Sequence, residues 1–233
     1  SMGTSYNSGI ECSIEIMARF PNTLRLAAVA VTLSVILALP LGVLAAVKQN
    51  SVFDGVSMII ALIGISMPVF WLGMLLILFF SLKLGWFPSS GSEGLKSLVL
   101  PGVTLGFQHM ASIARVTRSS MLEVIRADYI RTARAKGVSE NKVITRHALK
   151  NALIPTITVI GLQIGGMLGG SVMTESVFAW PGIGRLMVQS INKRDIPMVL
   201  GCVIMFSVSF SIVNLIVDVL YGFVDPRIKS QYK

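Results

Sequence analysis

R-A-D-Y-I-R-T-A-R-A-K-G-V-S-E-N-K-V-I-T-R-H-A-L-K-N-A-L-I-P, from Arg126 to Pro155, is the one long, charged, helix-forming stretch in a chain that is otherwise mostly apolar. Nine Lys/Arg stand against three Asp/Glu between Arg115 and Lys150, so this short region carries most of the formal net charge of +9. Tyr129, Ile130 and Ala133 can share one helix face while Arg131 and Arg134 point away, an amphipathic pattern. Gly137 interrupts it as a left-handed C-cap glycine would. Ser139 is placed to cap a second helix, with Glu140 near the positive end of its dipole. The stretch therefore predicts helix, tight turn, helix. On charge alone two readings stand: a docking element, or a basic loop that only fixes membrane topology.

The rest of the chain says what surrounds this stretch. Of 233 residues, 53% are hydrophobic and 13% charged, with a mean hydropathy of +0.75. A soluble domain of this size cannot hide so much apolar surface, whereas a bilayer removes the problem. Net positive charge beside apolar spans, without interleaved aromatics, fits positive-inside topology and argues against a nucleic-acid partner. Cys12 and Cys202 lie far apart in sequence, and neither a disulfide nor a metal site follows from them.

Residues 1–22 read as an extracytoplasmic lead-in with a short interfacial helix. Five spans follow, at 23–47, 56–82, 98–122, 153–177 and 198–224, each long enough for a hydrocarbon core of about 30 Å. Pro40 is expected to kink the first. Ser66-Met67-Pro68 interrupts the second, where the proline frees a backbone carbonyl that neighbouring helices or Ser66 must satisfy. The third carries Gln108 and His109. In the fourth, Gly161, Gly165 and Gly169 recur every four residues, a stripe that either packs a helix closely or lines a path. The last carries Asn214 and Asp218 one turn apart. Putting Arg126 to Lys150 in the cytoplasm places the loops at 83–96 and 178–197 outside and the basic tail, 225–233, inside.

Three separated stretches then share one likeness. Tyr129-Ile130-Arg131-Thr132-Ala133-Arg134-Ala135-Lys136-Gly137, with Arg146-His147-Ala148-Leu149 and Asn151-Ala152-Leu153-Ile154-Pro155, resembles the Glu-Ala-Ala loop of ABC importer permeases in the dipeptide, oligopeptide and nickel branch. Glu175-Ser176-Val177-Phe178-Ala179-Trp180-Pro181-Gly182-Ile183-Gly184-Arg185-Leu186 is similar to that branch's outer loop. Asn214 to Tyr221, ending at Asp225-Pro226-Arg227, is similar to its C-terminal signature. Arg131-Thr132-Ala133 stands where Glu-Ala-Ala would, and Leu149-Lys150 where Leu-Pro would, so the family glutamate has no counterpart here.

The resemblance implies an all-α, polytopic transmembrane domain of a type I ABC importer over 23–224, with a cytoplasmic coupling loop at 126–155. It implies about five spans of an expected six, the first helix of the family falling before Gly3-Thr4-Ser5-Tyr6. It implies a peptide importer in a bacterial or archaeal cytoplasmic membrane, with nickel or a metal chelate as the alternative cargo. The implied partners are two ATPase subunits, a second homologous permease subunit and an extracytoplasmic binding protein. Tyr129, Arg131, Ala133, Arg134, Lys136, Gly137, Arg146 and His147 would then meet the ATPase. Gly161, Gly165 and Gly169 would pack helices or line the path. Trp180, Pro181, Gly182, Gly184 and Arg185 would receive the binding protein.

No phosphate-cradling glycine loop and no His-Glu-x-x-His occurs, so the sequence predicts no enzyme, no cofactor and no metal. An intramembrane enzyme is the rival from another class. Its membrane-depth candidates are Asp218 and His109, each of which also reads as a satisfied packing residue.

Overall fold

The computed structural model describes residues 2–224; the basic tail and its Asp225-Pro226-Arg227 lie outside the described residues. The described residues are almost wholly helical: α1 Cys12–Val47, α2 Val52–Ser66, α3 Val69–Leu76, α4 Val99–Ile125, α5 Asp128–Ala135, α6 Glu140–Lys142, α7 Leu149–Val177, α8 Ile183–Asn192 and α9 Ile196–Val224. A π-helical stretch, Ile77–Lys83, extends α3, and another, Val143–Ala148, joins α6 to α7. Ahead of α1, an isolated antiparallel bridge between Thr4 and Glu11 closes a small loop.

The first and third spans depart from the expected ones, and the second follows the expected interruption. The interfacial helix and the first span are one 36-residue helix that runs through Pro21 and Pro40. The second span is broken outright at Met67-Pro68, because proline supplies no N–H and its ring excludes the preceding turn. Gln108, not Ser66, meets the opened end of α2, donating to the Ile65 carbonyl at 3.3 Å. Among the described residues, three helices, or four counting the broken pair as one crossing, are long and apolar enough to cross a membrane. The expected third span, α4, has the length but not the composition. Several of its polar side chains find partners within the chain, His109 Nδ1 lying 2.7 Å from Gln163 Oε1 and Arg118 pairing with Asp54, while Arg115, Ser119 and Glu123 are exposed.

The chain divides into two compact units. One comprises the residues up to Leu33, Met67–Phe107 and Ile164–Leu215. Its core joins Cys12, Ile16, Ile183, Leu186, Met198 and Cys202, with a second cluster of Leu26, Ala30, Leu105, Met167 and Trp180. The other comprises Ser34–Ser66, Gln108–Gln163 and the residues from Ile216 on. Its core of Ala46, Met121, Ile130, Val143, Ala148 and Ala152 seats the charged stretch described next.

Candidate coupling surface and outer loop

After α4 ends at Ile125, two residues lead into α5. Asp128 in its first turn complements the dipole, and Ile130 is wholly buried against Met121, Val143, Ala148 and Ala152. Gly137, at φ 75, closes α5: its N–H bonds the Arg134 carbonyl at 3.0 Å, while the Val138 N–H reaches the Ala133 carbonyl at 3.3 Å. That bond pair is a Schellman closure, which needs a left-handed residue at this position. Ser139 is extended as a cap residue should be, but its hydroxyl makes no cap bond. Glu140 instead takes a fork from Arg134, with Nε at 3.0 Å and Nη2 at 2.6 Å. Both side chains are substantially exposed, so the clasp shapes the turn more than it stabilises the fold.

The expected contact residues separate by face. Tyr129, Arg131, Arg134, Lys136, Gly137 and Arg146 are exposed, while Ala133 and His147 are half-buried. Tyr129 does not share the inward face of Ile130, from which it is one residue, about 100°, removed. It stands at the rim, where its hydroxyl accepts from Asn151 at 2.8 Å. The result is a short cationic helix on an apolar seat, leading through a reinforced turn into α6 and α7. No group of three or more His, Cys, Asp or Glu that could hold a metal occurs among the described residues.

The outer loop is organised by a residue to which the sequence reading gave no role. Glu175 is fully buried and accepts from the Thr23 hydroxyl at 2.8 Å and the Arg185 N–H at 3.0 Å. Thr23 in turn accepts the Ile183 N–H at 2.9 Å, so the two side chains together cap α8. A Cβ on Gly182 would overlap that carboxylate, so only glycine fits there. Trp180, 2% exposed, donates its indole N–H to the Asn22 carbonyl at 3.0 Å. Asn22 returns a bond to the Pro181 carbonyl at 3.0 Å, and Arg185 reaches the Ala179 carbonyl. Trp180, Gly182 and Gly184 are therefore interior, whereas Pro181 and Arg185 are only partly buried. Those two line an open cavity of about 520 Å³ with Ser90, Gly91, Glu93 and Ser97 of the preceding loop.

Asp195, 2% exposed, ties the start of α9 to the N-terminal segment. It accepts from the Ser5 hydroxyl, the Tyr6 N–H at 3.1 Å, the Asn7 amide at 3.3 Å and the Met198 N–H at 3.4 Å. Burial pushes its pKa upward, but these hydrogen bonds together hold the carboxyl below the usual range.

The glycine stripe is not uniform. A Cβ on Gly165 would meet Asn214 Oδ1 at 2.9 Å and the Phe210 ring at 3.0 Å, so this glycine admits the chain's own α9. Gly161 is buried, and Gly169 is exposed with nothing within 4 Å of an added Cβ. Asp218 is exposed.

Residues 38–230 match the family described as "Binding-protein-dependent transport system inner membrane component". The chain is 43% identical to a dipeptide transport system permease protein of Alkalihalophilus pseudofirmus, over 98% of this chain and 77% of that one. It is 48% identical to a glutathione transport system permease protein of Escherichia coli K12, over 92% and 70% respectively. Among solved structures, a chain of the MetNI methionine ABC transporter superposes with a TM-score of 0.76 at 22% identity, over 91% of this chain and 96% of that one, a likeness of fold.

Proposed function

The chain belongs to the family of binding-protein-dependent transport system inner membrane components, and on that premise we propose that it is the permease subunit of a peptide importer. Membership makes it a multi-pass inner-membrane protein that works with ATPase subunits and a substrate-binding protein and does not itself hydrolyse ATP. Peptide as cargo is carried by one observation: identity of 43–48% to dipeptide and glutathione permeases across more than nine-tenths of the chain. The metal-chelate alternative rests on the branch likeness alone.

In this reading two ATPase subunits serve a pair of permeases, this chain and a second homologous one. Closure of an ATPase subunit around ATP pushes on α5, where Arg131, Arg134, Lys136 and Arg146 offer cationic contacts and Tyr129 an amphipathic one. The Schellman turn at Gly137 and the Arg134–Glu140 clasp pass that displacement into α6 and α7. The spans then exchange between inward-open and outward-open arrangements, driven by the different affinities of ATP and binding protein for the two. A binding protein would touch Pro181 and Arg185 at the rim of the outer cavity, since Trp180, Gly182 and Gly184 are committed to the interior.

Uptake of a labelled dipeptide into proteoliposomes holding the whole importer tests the cargo. ATP-dependent accumulation that requires the binding protein supports the reading; uptake of a nickel chelate without peptide uptake would replace it.

A further inference from the structure

The turn between α1 and α2 is built around one buried carboxylate. Asp54, 4% exposed, accepts from Arg118 Nε at 2.5 Å and Nη2 at 2.6 Å, a two-pronged fork from α4. The same carboxylate accepts the Asn50 N–H at 3.0 Å. Asn50 stands at φ 63, so Asp54 also supports the left-handed residue that reverses the chain. Eight residues on, just past the C-terminal end of α4, Arg126 donates to Gln49 Oε1 at 3.1 Å. Two arginines at the two ends of that stretch thus hold the turn. From Arg126 the chain passes through Ala127 into α5. A cleft of about 160 Å³ has Gln49, Arg126, Arg134 and Glu140 on its walls, so the turn and the clasp of the coupling helix face the same space.

A buried ion pair is weak evidence for stability, because desolvating both charges offsets much of their attraction. A fork does fix register, which apolar contact does not: sliding one element past the other breaks both bonds at once. On this placement, and resting on the permease reading above, we propose that Asp54 and Arg118 are positioning residues for coupling. They lock the α1–α2 turn to α4, so that displacement of α5 carries α4, α1 and α2 as one piece. Without the fork, ATP hydrolysis continues while α1 and α2 lag behind.

The test uses the complete importer in proteoliposomes, with dipeptide uptake and ATP hydrolysis measured on the same preparation. Asp54→Asn and Arg118→Gln should each lower peptide moved per ATP by roughly tenfold, and Arg118→Lys, which keeps charge but loses the fork, by about threefold. Hydrolysis should persist in all three. The double variant Asp54→Asn/Arg118→Gln leaves no unpaired buried charge and should do no worse than the poorer single. Wild-type peptide per ATP in every variant that assembles overturns the proposal, as do losses that multiply in the double variant. If the singles do not assemble, the double variant carries the test; if none assembles, the pair serves folding only and the proposal fails. A wild type that moves no dipeptide contradicts the cargo reading instead, and stimulation of hydrolysis by the binding protein then becomes the coupling readout.

Discussion

Gly137 shows how little of a single residue need be chemical for it to matter. An added Cβ there would meet nothing within 4 Å, so the position demands glycine only through its φ of 75. A β-branched residue would strain the Schellman turn by about 1–2 kcal/mol. Gly137→Val should therefore lose transport and stimulated ATP hydrolysis while still inserting, and Gly137→Asn, which tolerates the left-handed region, should retain most of both. Equal behaviour of the two variants would show that the backbone angle is not what matters. Asp195 makes a different kind of contribution. Because hydrogen bonds in the folded chain depress its pKa, the tie it makes is fully present above the unfolded value of about 3.9 and weakens as pH falls through the lower folded value. Spin labels at Ile10 and Lys193 should keep their separation from pH 7 to pH 5 and move apart only in more acidic buffer. Separation already between pH 7 and 5 would assign the tie to another group.

At the scale of elements, the sequence was most informative where local chemistry decides the outcome. The turn at Gly137, the amphipathic α5 and the break at Pro68 all follow from backbone constraints that a few residues impose. What was hidden depends on partners far apart in the chain. Glu175 finds Thr23 across 152 positions and Arg118 finds Asp54 across 64, and no periodicity marks either pairing. The same limit applies to burial of Trp180: an aromatic in a turn-rich loop reads as exposed until its indole meets Asn22. The glycine stripe, uniform in sequence, separates in the same way. Gly165→Leu should overpack the α7–α9 contact against Phe210 and Asn214 and cost the chain's own fold about 1–3 kcal/mol. Gly169→Leu, in open space, should leave the chain's melting temperature unchanged. Thermal unfolding of both in detergent separates them; equal loss would mean that Gly165 is not the close contact described here.

For the molecule as a whole, the proposed mechanism is mechanical: an ATPase subunit docked on the cationic α5 would move the spans. Composition made the membrane legible, and the order of three motifs made the family legible. Neither could show that His109 and Arg118 of α4 find partners in Gln163 and Asp54, because average hydropathy does not record which way a side chain faces. The most direct measurement is ATP-dependent dipeptide uptake by the whole importer, assembled with wild-type chain or with Arg131, Arg134 and Lys136 all replaced by Glu. The wild type should accumulate peptide, and the charge-reversed chain should insert yet show neither uptake nor binding-protein-stimulated ATP hydrolysis. Full uptake by the charge-reversed importer would contradict the claim that this surface is where ATP hydrolysis is coupled to transport.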